Sequence, residues 1–406
     1  MTGPVRPTLS IVNGLVFDGV SSEPAEGAVH VADGRIVEVG AAPRPADRVI
    51  DARGATVLPG LIDAHFHAYG IALDLLEIET SPAGYVALSG ARRLTAALAR
   101  GFTTVRDVAG GDAGLARAIG EGLVPAPRYL YTGPALSQTG GHGDPRGAAG
   151  DLCGCHEFLG EVVDGVDPLR RAVRDRFRQG AHAIKIMTSG GVVSRTDPIR
   201  VPQYSPEEVA VVTEEARRRG SYVAAHAYSP EAIRHSVVNG VRSIEHGNLL
   251  DAETAALMAR HEAFLVPTLA AYDAMERRGG ELGMAPESRA KNREVLDSGR
   301  DAVELARAAG VRVGFGTDLM GVLEEEQLNG LRLQVEVEGV LHTLRSATSV
   351  NADLLQRPDL GRVQVGCVAD LLIVDGDPFA DPSLLWGPPE RRCVVQAGEP
   401  RPGKWR

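Results

Sequence analysis

Apolar positions in the first 58 residues fall into short runs rich in Val and Ile, at 9–16, 28–31 and 35–39. Asn13-Gly14, Asp18-Gly19 and Asp33-Gly34 punctuate them, and such dipeptides accommodate positive φ in tight turns. No helical period fits this stretch. A similar run at 369–374 ends in Asp375-Gly376-Asp377-Pro378, and 393–396 is a further strand candidate. The pattern predicts a small β-sandwich domain built from both ends of the chain, residues 1–58 plus 361–406.

The rhythm changes between them. Strand-like runs near 61–65, 103–107, 129–133, 184–187, 223–226, 243–246, 264–268 and 313–317 alternate with helix-like ones. Ser205-Pro206-Glu207-Glu208 reads as a capping box with Pro in the first helical turn, and Gly220 stands where that helix should stop. Ser229-Pro230 and Gly240 bracket the next helix in the same way. Eight βα repeats over residues 59–360 predict an α/β fold of (β/α)8 TIM-barrel type. A doubly wound sheet is the alternative. It usually carries a Gly-rich phosphate turn after its first strand, where this chain has His65 and His67. The Gly-rich stretch 137–165, after the third strand, is the longest irregular segment and reads as a substrate loop.

Strand side chains alternate, so His65 and His67 face the same way at the end of the first strand. They make half of a metal site or two satisfied core histidines. Lys185 interrupts the apolar run Ala183-Ile184-Lys185-Ile186-Met187, a costly place for an ammonium unless it is neutralised or paired. His226 and His246 end the fifth and sixth strands, and Asp318 follows the eighth. Packing alone does not place six such residues at the carboxyl ends of strands one, four, five, six and eight, the face where barrels of this type build active sites. The joint pattern predicts a metal site.

Composition narrows the class. The chain has 406 residues, 43 basic and 53 acidic, for a net charge of −10, with 44% hydrophobic and 24% charged residues. These are globular values. An acidic chain without a basic stripe predicts no nucleic-acid partner. No apolar run reaches membrane-spanning length and no leader pattern is visible, which predicts a cytoplasmic enzyme with no membrane partner. Of four cysteines, Cys153 and Cys155 flank one glycine and read as loop thiols. Glu324-Glu325-Glu326 and Arg217-Arg218-Arg219 read as solvated helix faces.

The run Leu58-Pro59-Gly60-Leu61-Ile62-Asp63-Ala64-His65-Phe66-His67 resembles the opening signature of the amidohydrolase superfamily. Lys185-Ile186-Met187-Thr188-Ser189-Gly190-Gly191, Gln203-Tyr204-Ser205, Ala225-His226-Ala227-Tyr228 and Ser243-Ile244-Glu245-His246-Gly247-Asn248 resemble the branch of prolidase-like, arginine/lysine carboxypeptidase-like and ochratoxin-type amidases. The resemblance implies two divalent metal ions, zinc first among them, with manganese, cobalt and iron left open by ligand softness. It implies His65, His67 and Asp318 on the first ion, His226 and His246 on the second, and Lys185 as a bridge carbamylated by CO2. It further implies attack by a metal-bridging hydroxide on an amide or peptide bond, dipeptidase- or carboxypeptidase-like, with Asp318 as catalytic proton shuttle.

By the same resemblance His142 orients or polarises the substrate carbonyl. Its plain alternative is a loop histidine. Tyr228 resembles a substrate-contacting tyrosine, with a structural role at the next helix start as the alternative. Arg195 stands where the branch often has proline, and with Arg146 and Arg200 it is a candidate partner for a substrate carboxylate. Relatives often form homo-oligomers. Competing readings keep the metals but change the bond to a carbamate, urea or lactone, or make the enzyme a tailoring hydrolase of a peptide natural product. A catalytically dead scaffold is a third, for which loss of a ligand would be the signature. All six are present. The substrate is otherwise expected only to be a small molecule or peptide.

Overall fold

The computed structural model describes residues 7–40, 44–146, 157–194 and 197–403. Strands Leu9–Val16, Ala25–Ala32, Arg35–Val39, Arg48–Asp51 and Thr56–Pro59 join Leu371–Val374, Arg392–Gln396 and Glu399–Pro400 in one eight-stranded mixed sheet. Its apolar side buries Leu9, Ile11, Val29, Val31, Leu371 and Ile373. Asp33 and Gly34, at φ 49° and 72°, make the predicted turn between two strands. Asn13-Gly14 does not turn the chain. It sits inside the first strand, where the register with Ala25–Ala32 shifts, so the positive φ of Asn13 serves a bulge.

Each predicted run of the middle region contains a strand, and these strands pair in parallel with helices between them. The hydrogen-bonded ladders form two arcs. One holds Leu61–Phe66, Phe102–Asp107 and Arg128–Tyr131. The other runs from Gly160–Val162 through Ala135–Ser137, Ile184–Met187, Val223–Ala227, Ser243–His246 and Phe264–Val266 to Arg312–Val313. The two short strands Ala135–Ser137 and Gly160–Val162 arise at the edges of the stretch expected to be irregular, and they extend this arc.

Among the described residues the ladders do not close into one ring, a difference from the continuous eight-stranded barrel expected. The last strand is only two residues long, and the Gly314-Phe315-Gly316 run beyond it passes close to its neighbours. A Cβ at Gly316 would lie 2.6 Å from that of His65. Single bonds cross the seams instead: Ala64 N–H to Phe315 O (2.9 Å), Asp318 N–H to His65 O (2.8 Å) and His182 N–H to Tyr131 O (2.7 Å).

The helix signals hold. Pro206–Arg218 begins with Ser205 Oγ accepting from Glu208 N–H (3.3 Å) while Glu208 Oε2 accepts from Ser205 N–H (2.8 Å), and Gly220 follows at φ 67°. Its Val209, Val212 and Ala216 pack into the cluster that also takes Ile184, Ile186 and Ile244 from the strands. One polar run departs from expectation. Glu324 is buried in the Gly321–Glu326 turn of 3-10 helix, 3.9 Å from Arg93 and 3.6 Å from Arg100, because the buried Arg93 needs a counter-charge. Among the described residues no helix is long and apolar enough to cross a membrane.

Candidate active site

His65 and His67 end the first parallel strand, and the intervening Phe66 turns away into an apolar cluster. His65 donates Nδ1–H to Glu245 Oε2 (2.7 Å), and His67 faces the Ala109 carbonyl through Nδ1 (3.2 Å). A carboxylate and a carbonyl only accept, so both rings carry hydrogen at Nδ1. Their Nε2 atoms then converge on one oxygen of Asp318, at 3.3 and 2.8 Å. For neutral imidazoles that sets lone pairs against a carboxylate, which is repulsive unless a cation lies among them. His246, Asp318 and His65 bring their ligand atoms within 4.8 Å of one another.

The second half lies across the floor. The His226 and His246 rings are 4.5 Å apart, and His226 donates Nε2–H to Gly190 O (3.1 Å), which leaves Nδ1 as its free nitrogen. Burial drives both imidazoles well below the usual histidine range. Lys185 is 2% exposed, and among the described residues its Nζ finds no hydrogen-bond partner. Burial lowers its amine to about 8, so a neutral amine is accessible near neutral pH. An orphaned amine beside unopposed imidazole nitrogens and a carboxylate fits a set of groups arranged for divalent cations.

The backbone is bent to deliver these groups. His246, Thr268 and Asp318, at consecutive strand ends, sit at φ 76°, 48° and 54°. That left-handed conformation is strained for non-glycine residues and concentrates at functional sites. Asp63 sets the first and last strands in register: Oδ1 accepts from His65 and Thr317 N–H (3.1 Å each), and Oδ2 from Thr317 Oγ1 (2.6 Å) and Gln327 (3.0 Å).

His142 lies in the same site, stacked on His226 with ring centroids 4.2 Å apart, and its Nδ1 is 2.8 Å from Ser194 Oγ. Tyr228 stacks on His246, and its hydroxyl meets that of Tyr272 (2.9 Å). Both His142 and Tyr228 line a cleft of about 840 Å³, a figure that includes its mouth open to solvent. Its floor is the six converging residues, and its walls include Leu73, Val192, Val193, Met275 and Leu323. Arg195 lies outside the described residues, as do Cys153 and Cys155. Arg146 is held bidentate by Asp144 (2.7 Å each) and Arg200 pairs with Glu294 (2.9 Å), so neither stands as a ready carboxylate partner.

Sequence reasoning missed the groups beneath the floor. Glu245 joins His65 to the fully buried Arg106 (2.7 Å), and both ion-pair partners are inaccessible to water. Thr268, Tyr272, Ser194 and Asp197 were also unassigned. Glu245, next to His246 in a polar strand end, and Asp197, in the Thr196-Asp197-Pro198 run that resembles the same branch, left local signals.

The amidohydrolase family profile matches residues 56–401. The chain is 32% identical to ochratoxinase of Aspergillus niger, over 97% of its own length and 88% of the relative's. It superposes on a solved prolidase complexed with N-methylphosphonate-L-proline at TM-score 0.94 and 43% identity, covering 97% of this chain and 99% of that one. A solved Xaa-Pro dipeptidase with bound methionine follows at TM-score 0.88 and 30% identity, covering 97% and 100%. The chain belongs to the amidohydrolase family. It is a hydrolase of amide bonds with prolidase and ochratoxinase relatives, and that family generally uses divalent metal ions.

Proposed function

We propose that this enzyme is a binuclear metal-dependent dipeptidase or carboxypeptidase-like amidohydrolase, cleaving the amide that joins an acyl or aminoacyl group to a terminal amino acid. One observation carries the reading: His65, His67, Lys185, His226, His246 and Asp318 converge on the floor of one apolar-walled cleft, with the Lys185 amine unpartnered among the described residues. The prolidase and ochratoxinase relatives support the bond type.

In this reading His65, His67 and Asp318 would hold one divalent ion and His226 and His246 another, with Lys185 available to both. The Lys185 amine adds to CO2 and loses a proton, giving a carbamate anion that removes the cost of burying an ammonium. Zinc suits the donor set. When bound, such ions supply Lewis acidity for water activation and carbonyl polarisation. The Asp318 carboxylate accepts the proton of the attacking water and returns it to the leaving nitrogen. His142 and Tyr228 orient the carbonyl group, and the apolar walls exclude water from it. Arg195 is the remaining candidate for a substrate carboxylate.

The same proposal divides the chain into a small sheet domain, 1–58 plus 361–406, and a catalytic (β/α)8 barrel, 59–360, with the two arcs as its wall. It places a homo-oligomer in the cytoplasm. The test is a screen of zinc-loaded protein against N-acyl amino acids and Xaa-Pro and Xaa-Arg dipeptides, with carbamates and lactones as controls. Chelator-sensitive, zinc-restored amide hydrolysis supports the reading. Turnover of the control esters or carbamates alone would replace it with the same machinery acting on another bond.

A further inference from the structure

Helix Pro286–Leu296 lies about a hundred residues downstream of the 188–203 loop, yet one of its side chains ends inside that loop. The three N–H groups of Lys291 Nζ have three acceptors, all main-chain carbonyls: Gly191 O (3.0 Å), Ser194 O (2.8 Å) and Asp197 O (2.7 Å). The carboxylate of Asp197, 4% exposed, gathers the same loop from within. Its Oδ2 accepts from Gly191 N–H (3.2 Å) and Gln203 Nε2–H (3.1 Å), and its Oδ1 from Ser194 Oγ–H. Lys291 Nζ stands 3.8 Å from Asp197 Oδ1, so the pair also balances charge.

The chain of contacts ends at His142. The single hydrogen of Ser194 Oγ points to Asp197, so this oxygen is left to accept from His142 Nδ1 (2.8 Å). The His142 backbone N–H is held separately by Gln203 Oε1 (3.1 Å). The ring is clamped flat between His226 and Gly191, where a Cβ would fall 2.0 Å from His142 Cε1. Ring plane, backbone and one ring nitrogen are therefore all set by the loop, and Nε2 is the nitrogen left to meet a substrate.

We propose that Lys291 is a positioning residue, acting through Asp197 and Ser194 to hold His142 with hydrogen on Nδ1 and Nε2 turned to the cleft. This rests on the reading of His142 as a substrate-orienting group. Near-attack geometry is sensitive to displacements of about 1 Å, so loosening the strap should lower turnover more than affinity.

The experiment compares Lys291→Met, Ser194→Ala and, as control on the same helix, Arg293→Ala, whose side chain faces solvent beside Glu276. Metal content by mass spectrometry, kcat and KM on the best amide substrate, and amide hydrogen exchange of residues 188–203 are measured for each. Lys291→Met and Ser194→Ala should lose about tenfold or more in kcat, with KM and metal content close to the parent. Lys291→Met should also exchange the loop amides about tenfold faster. Parental kcat in either variant overturns the proposal, as does unchanged exchange in Lys291→Met, or a loss of kcat that tracks a loss of metal. If the parent protein hydrolyses no amide, the functional reading fails, while the exchange measurement still decides whether Lys291 straps the loop.

Discussion

The two halves of the cleft are held by different means. The half carrying His65, His67 and Asp318 stands on paired strands over buried charges: Asp63 across the first and last strands, Glu245 and Arg106 beneath His65. The half carrying His142 stands on loops, tied by Lys291, Asp197 and Ser194 to backbone atoms. Strand-borne side chains with charged supports suit groups that tolerate no displacement. A strapped loop can change its contacts without moving the floor, which suits substrate selection. Disturbing the first half should cost metal and stability. Disturbing the second should cost turnover with metal retained.

Asp318→Asn gives the largest expected effect. Removing the proton acceptor, itself a proposed ligand, should lower kcat about 10²- to 10⁴-fold, with weaker metal retention and a lower melting temperature; near-parental turnover would refute the shuttle. Next is Glu245→Gln, which leaves Arg106 buried without its counter-ion. Loss of about 3–5 kcal/mol in denaturant unfolding is expected, with metal affinity weakened about 10- to 100-fold in a chelator competition. Parental affinity would show that His65 does not depend on its carboxylate partner.

Gly191→Ala probes the other half. The new methyl group meets the His142 ring at 2.0 Å and must displace it, so kcat should fall by up to about 100-fold while metal content holds. If this variant loses metal, the two halves are not separable.

The smallest effect lies far from the cleft. His182 faces the Leu355 carbonyl through Nε2 (2.9 Å), and burial lowers it to about 4 from 6.5. A folded pKa below the unfolded one means the native state resists protonation. This contribution is complete above pH 6.5 and is lost as pH falls towards 4, on the order of 2 kcal/mol. His182→Gln should flatten the stability profile across that window; an unchanged profile would assign the acid sensitivity elsewhere.

Much of this architecture could be read from local pattern, because strand runs and helix caps are short-range signals. The run at 184–187 emerges as Ile184–Met187, and Ser205 caps its helix as expected. The convergence of His65, His67, His226 and His246 was legible because strand ends share a face. Glu245 and His246 show where that logic stops. Alternation allows only one of two neighbours to point inward, but the positive φ of His246 turns both towards the site. Lys291 gave no signal at all, since its role depends on tertiary contacts across about a hundred residues. The shortness of the eighth strand, two residues, was likewise hidden, because the run at 313–317 carries no local sign of where its ladder stops.

Gly60 joins the terminal sheet directly to the strand that carries His65, and its N–H is held by Asp370 O (2.8 Å). The adjoining Thr56–Pro59 strand pairs with Leu371–Val374. The strand that carries His65 is thus tied at its base to a segment some 300 positions further along the chain, so the two ends of the sequence meet beneath the first histidines.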